Sequence, residues 1–302
     1  MRKKQKVSIK KKKIALFDVL NILFMLILCA VMVYPYLNQI ALSFNTGKDA
    51  MYGGITIFPR EFTLTNYITV FKNDDVRSSI IITVTETILG TVLALLVGTS
   101  AGYAMSRRGL PYRRQIALFL HIPGFISVGI IPMLMLYREL HLINSFWVYV
   151  IPGCFSFYNM VMIRSFMQGI PESLIESAEI DGANEIQIMC KVVMPLSKPI
   201  LATVCLWESV GHWNTWTQGL YYITKPKLYT LQYMLVKLVK ENEVLASLAR
   251  SSAGNEEIAV ASPTPETVRA ATLIVATLPI VLMYPFLQKY FIKGVTLGAV
   301  KE

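Results

Sequence analysis

Apolar residues in this chain gather into long runs, roughly 19–43, 79–105, 116–137, 144–166, 200–222 and 270–292. A helix needs about 20 apolar residues to cross a bilayer. The pattern therefore predicts an all-α polytopic membrane protein with six transmembrane helices filling 19–293. A basic N-terminus, 1–18, precedes them and a short tail, 294–302, follows. Two polar intervals are longer than a turn requires. One is 167–199; the other is the loop 223–268, where the amphipathic run LYTLQYMLVKLVKENEVLASLA gives way to SSAGNEEIAVASPTPE, a flexible-loop composition.

The interval 167–199 has helical logic in two pieces. Pro171 suits a first turn, and Leu174, Ile175 and Ala178 share one face. Gly182 takes a positive φ without steric cost and so ends the first helix. Asn184 caps a second, with Gln187 three residues on as in a capping box. Ile186, Met189, Cys190 and Val193 follow at helical spacing, and Pro195 is expected to stop that helix before the next span. The pair is too short and too polar to cross a bilayer, so its apolar face needs a cover. A partner protein supplies one; lying on the lipid surface is the alternative, which its acidic outward residues oppose at an anionic leaflet.

Charge sets orientation. Of 302 residues 54% are apolar and 16% charged, against about a quarter charged in soluble domains, and the net charge is +10. The excess lies in MRKKQKVSIKKKK and in short loops. This distribution fits an anionic inner leaflet and not nucleic acid. The N-terminal cluster, Arg107, Arg108, Arg113 and Arg114, Arg164 with Lys191 and Lys198, and Lys289 with Lys293 all fall on one side. By the positive-inside rule that side is cytoplasmic, placing both termini inside the cell membrane. The first apolar run lacks a small-residue cleavage site and reads as an uncleaved span. Cys29, Cys154, Cys190 and Cys205 have neither the placement nor the spacing for disulfides or metal.

Gly98-Thr99-Ser100-Ala101-Gly102 matches G-x-S-x-G, with His121 on the next span, but the motif lies in an apolar helical run where Gly98 and Gly102 make a small face for close packing. No phosphate-binding G-x-x-x-x-G-K-[ST] occurs. The chain is expected to be no enzyme and to hold no cofactor or metal, so energy comes from a separate subunit. An ion-gradient-driven secondary transporter is the alternative, since Glu86, Glu208 and His212 are ionisable groups within spans. Glu208, His212 and Thr215 share a helix face beside Trp213, Asn214 and Trp216. That stripe either lines a path for a hydroxyl-rich solute, with an indole for stacking, or bonds to neighbouring helices, the tryptophans then anchoring the membrane interface. Glu86 is expected to point into the bundle and to belong to the same candidate path.

Glu176-Ser177-Ala178, Asp181-Gly182-Ala183, Pro195 and Pro199 resemble the "EAA" cytoplasmic loop of permease subunits in bacterial ABC importers. AGYAMSRRGLPYRR, Trp213-Asn214 and QKYFIKGVTLGAVKE resemble the carbohydrate-importer group, and YPYLNQIALSFN the oligosaccharide permeases of Gram-positive bacteria. Ser177, Met189 and Met194 depart from the usual residues but keep size or apolarity. The resemblance implies an alternating-access path for an oligosaccharide, formed with a second permease. It also implies two ATPase subunits, which hold ATP and Mg, and an extracellular solute-binding lipoprotein into which 223–268 reaches. The helix pair, through Glu176, Ala178, Asp181, Gly182, Ala183, Met189 and Pro195, would couple to the ATPase, its acidic residues meeting basic cleft residues. The tail GVTLGAVKE, read as extended, would enter the ATPase dimer.

Overall fold

The computed structural model describes residues 16–126, 128–240 and 263–299. The basic N-terminus up to residue 15, Ser127, the segment 241–262 and the last three residues lie outside these. The described residues contain helices and no strand, with one isolated bridge between Asn45 and Phe62.

Helix α1 (Leu16–Ser43) is followed by the short α2 (Gly47–Met51) and α3 (Thr65–Lys72), then α4 (Asp74–Ser106). Next come α5 (Arg113–His121), α6 (Ile130–Glu139), α7 (Trp147–Val150) and α8 (Phe157–Met167). The polar interval forms α9 (Glu172–Ile180) and α10 (Glu185–Ile188), which runs through a π turn, Met189–Val193, into α11 (Met194–Leu196). Then follow α12 (Lys198–Trp213), α13 (Thr217–Tyr222), a helix α14 over 231–240, and α15 (Pro265–Ala299).

Among the described residues, three helices are long and apolar enough to cross a membrane: α1, α4 and the Pro265–Met283 part of α15. The other expected spans are broken, each at an identifiable residue. Run 116–137 is interrupted between α5 and α6, where Pro123 lacks an amide hydrogen and Gly124 and Gly129 favour irregular backbone. Run 144–166 divides into α7 and α8 around Pro152 and Gly153. Run 200–222 divides at Asn214–Trp216, and its first half meets the Glu185–Leu196 segment at 84°.

Two expectations about the inner segments are corrected. Pro195 does not stop its helix: the π turn before it shifts the hydrogen-bond register, and the chain turns only at Ser197, whose amide bonds Val193 and Met194 carbonyls at 2.9 and 3.1 Å. The tail, read as extended from Gly294, instead continues α15 through Ala299. No proline lies in this stretch, and adding residues to an existing helix avoids the nucleation cost.

The core is built where α12 packs on α4 and α15, and α4 on α8. Gly102 and Gly98 face α8, as their small-residue spacing requires: a Cβ on Gly102 would lie 2.8 Å from Ile163 Cγ2, and on Gly98 3.7 Å from Ile163 Cδ1. Ser100 donates to the Leu96 carbonyl inside α4, with no strained elbow. Most of α1 from Leu16 to Tyr34 is exposed, a face suited to lipid or to another subunit and not to water.

Candidate functional site

The polar interval forms the helix-corner-helix unit its sequence foretells. Gly182 has φ +80°, its amide bonds Glu179 O at 3.0 Å, and Ala183 N bonds Ala178 O at 2.9 Å. These bonds satisfy the last carbonyls of α9. The Asn184 side chain accepts from Gln187 N while Gln187 accepts from Asn184 N, both at 2.9 Å, closing the capping box.

One side of the unit packs into its own chain. Ile175, Ala178, Ala183 and Met189 lie against the cluster of Ile163, Met167, Ile188 and Val193. The acidic residues divide. Arg107, at the C-terminal end of α4, donates to Glu179 and to Glu185, Tyr103 donates to Glu185, and Arg108 lies 3.3 Å from Glu172. These three carboxylates hold the unit to α4 and are not offered outward as a set. Glu176 and Asp181 remain exposed, with no ion pair among the described residues. The opposite side exposes apolar residues around the corner: Ile180 is 86% exposed, Ile186 70% and Leu174 44%. The expectation that the whole apolar face needs an outside cover is corrected: Ile175, Ala178 and Met189 are covered by this chain's own helices, while Leu174 and Ile186 of that face stay exposed.

Deeper in the bundle the ionisable residues converge. His212 on α12 stands between two carboxylates, its Nδ1 3.5 Å from Glu86 on α4 and its Nε2 3.8 Å from Glu208 one turn back. Glu86 is wholly buried and, among the described residues, neither oxygen makes a well-formed hydrogen bond, while Asn159 on α8 donates to Glu208. Thr91 and Ser209 hydroxyls meet at 3.2 Å beside them. The imidazole is seated by glycines, since a Cβ on Gly90 would lie 2.4 Å from its ring and one on Gly153 3.3 Å away. The close approach accounts for glycine at 153, while the break between α7 and α8 falls at Pro152.

The remaining stripe does not stay together. Trp213 is buried, its indole donating to Ala276 O at 2.8 Å on α15. Just past the end of α12, Thr215 donates to Gly211 O at 3.3 Å and Asn214 to Val210 O at 2.8 Å, and Thr215 also lies beside Glu86. Trp216 stays 40% exposed. Asn159, Gly90 and Gly153 escaped the sequence reading. A mid-span asparagine and a mid-span glycine were the available signals, but nothing in their spacing ties them to α12.

A model for the family described as binding-protein-dependent transport system inner membrane component matches residues 90–297. The polygalacturonan/rhamnogalacturonan transport system permease protein YtcP of Bacillus subtilis is 33% identical over 287 residues, 95% of this chain and 98% of that protein. The arabinooligosaccharides transport system permease protein AraQ of Halalkalibacterium halodurans is 28% identical over 284 residues, 89% of this chain and 91% of that one. A chain of a bacterial ABC transporter involved in the import of the acidic polysaccharide alginate matches with a TM-score of 0.82 and 25% identity, covering 93% of this chain and 99% of that chain. With its apolar helices and a family match over more than half its length, this chain belongs to the binding-protein-dependent inner membrane components, as a carbohydrate ABC transport permease and not an enzyme.

Proposed function

We propose that the chain is one of two permeases in an ATP-driven importer that moves an oligosaccharide by alternating access. It crosses the membrane six times with both termini cytoplasmic, the broken segments each counting as one crossing. The unit α9–α10 docks on an ATPase subunit, and the segment 223–268 reaches an extracellular solute-binding protein. The observation that carries this reading is the apolar rim of Ile180 and Ile186 around a rigid glycine corner, on a unit whose other side is tied to α4 by Arg107. Such a rim suits burial against protein, and the tie makes any displacement of the unit a displacement of α4.

Glu208, Asn214, Thr215 and Trp216 are assigned to the sugar path, being partly or fully exposed along one helix end; Glu86, His212 and Trp213 are assigned to the interhelical lock. The relatives named for polygalacturonan/rhamnogalacturonan and alginate make uronate oligomers the first substrates to test. The test is uptake into proteoliposomes holding the whole complex, with the neighbouring solute-binding protein and a panel of neutral and uronate oligosaccharides. Uptake is expected only with ATP inside and should be lost in Ile180→Glu/Ile186→Glu. Uptake driven by a proton or sodium gradient without ATP would overturn the proposal in favour of a secondary transporter.

A further inference from the structure

The cluster at the centre of the bundle carries two carboxyl groups and one imidazole, and it is closed to water: the side chain of Glu86 is 0% exposed, that of His212 7% and that of Glu208 16%. With both carboxyls ionised and the imidazole protonated, one negative charge is left over. Among the described residues no lysine or arginine pairs with either carboxyl. Along α4 and α12 the nearest basic residues are Arg77 and Lys198, about 13 Å from Glu86 and about 15 Å from Glu208 by helix rise. Arg164 on α8 lies level with Gly102, about 24 Å along α4 from Glu86. Arg269 on α15 lies about 10 Å along that helix from Ala276, which receives the Trp213 indole. From α7, Tyr149 is within electrostatic reach of Glu86, but its hydroxyl donates to Leu228 O at 2.9 Å. Tyr229 and Tyr233 lie behind it, with Lys237 over the Tyr229 ring at 5.5 Å. A charge left uncompensated in an apolar interior is costly, and a proton removes it.

The two carboxyls differ in how well they hold an anion. Glu208 accepts from Asn159, and such a bond stabilises a carboxylate. Glu86 has His212 Nδ1 at 3.5 Å and no well-formed hydrogen bond on either oxygen among the described residues. The imidazole is hemmed in by Gly90 and Gly153 and stays between them as long as α4 and α12 are packed.

We propose that Glu86 carries a proton while α4 and α12 are packed together and surrenders it to water when they part during transport, so that the cluster is a proton-loaded latch. The closed cluster is then neutral, with a carboxylic acid at Glu86, an imidazolium at His212 and a carboxylate at Glu208. On opening, the O–H bond of Glu86 breaks, the electron pair stays on the carboxylate and the proton goes to water; closure takes it back. The proton site rests on the cluster alone, and its release rests on the alternating access proposed above.

The whole importer complex, purified in an ester-free detergent, would be studied by infrared spectroscopy. At neutral pH the wild type should show a carboxylic-acid C=O band that moves on exchange into heavy water. The band should be lost in Glu86→Gln, kept in Glu208→Gln and displaced in Glu86→Asp, the last comparison serving even where the Gln variant fails to assemble. Trapping the complex with ATP on a hydrolysis-deficient ATPase subunit should abolish the wild-type band and release protons to an indicator dye, a release that Glu86→Gln lacks. An identical band in wild type, Glu86→Gln and Glu86→Asp would overturn the proton site. A band that survives trapping, in a complex whose uptake still requires ATP, would overturn the release and leave the importer reading in place.

Discussion

At the scale of single residues, Gly182 and Gly90 are glycines for different reasons. Gly182 has open space around it but a left-handed backbone, so Gly182→Val should cost about 1 kcal/mol or more through φ alone. The complex is then expected to assemble poorly with its ATPase or to hydrolyse ATP without uptake, and a pull-down with paired transport and ATPase assays checks this. Gly90 is ordinary helix, and its constraint is the His212 ring. Gly90→Ala should destabilise the complex, and so should His212→Ala, which leaves the carboxylates of Glu86 and Glu208 without their shared partner. Because the second change removes the group the first one strikes, the double variant should lose less than the sum, by about 1 kcal/mol or more. Thermal unfolding of the four complexes closes that cycle; strict additivity would show that the ring does not sit against Gly90.

Asp49 gives a pH prediction at the same scale. The hydrogen bond from Asn45 Nδ2, at 2.7 Å, holds its carboxyl below the ordinary value near 3.8, burial opposes this, and Arg60 Nε at 3.0 Å assists. A depressed folded pKa means the contribution to stability is complete above the unfolded value and is lost as pH falls through the folded one. The segment 45–60 should therefore keep its amide protection from pH 7 down to about 4 and loosen below it. Asp49→Asn should be loosened throughout and show no such acid step, as hydrogen exchange of this segment will report.

At the scale of elements, the helix pair of the polar interval is coupled to α4 through a short list of side chains. Among the described residues Arg107 alone forms ion pairs with both helices, through Glu179 and Glu185. Arg107→Gln removes the charge but not the packing of Ile175, Ala178 and Met189, so ATPase binding should persist while uptake per ATP falls severalfold. Equal losses of binding and uptake would instead mark Arg107 as structural. The π turn belongs to this scale too. It is the device by which a helix accommodates Pro195 and delivers the sharp turn two residues later at Ser197.

At the scale of the whole molecule, the chain leaves two kinds of apolar surface uncovered. The flank of α1 suits lipid or a second membrane subunit, but Ile180 and Ile186 sit on a polar unit outside the long spans. Covering the latter by a folded partner stabilises the native state by mass action. Adding the ATPase subunit to the purified permease pair should raise the thermal midpoint by several degrees, and Ile180→Glu should abolish the rise without lowering the midpoint of the pair alone.

The sequence by itself determined the helical class, the membrane as solvent, and the geometry of the corner, because hydrophobic run length, glycine φ and capping spacing are local properties. Gly182 and the Asn184–Gln187 box were therefore legible, as was the packing face of Gly98 and Gly102. It also carried the family signature in the same interval. The tertiary structure alone decided which polar residues meet. Glu86 and His212 are 126 positions apart, and Arg107 lies 72 from Glu179; no periodicity reports pairs at such separations. It decided as well that three apolar runs are broken helices: hydropathy averages over a window, and one proline or glycine changes the backbone without changing that average. The stripe of Glu208, His212 and Thr215 was read as a unit because helical spacing assigns a face, but what lies opposite each turn differs, and only packing sends Trp213 to α15, His212 to α4 and Glu208 to α8.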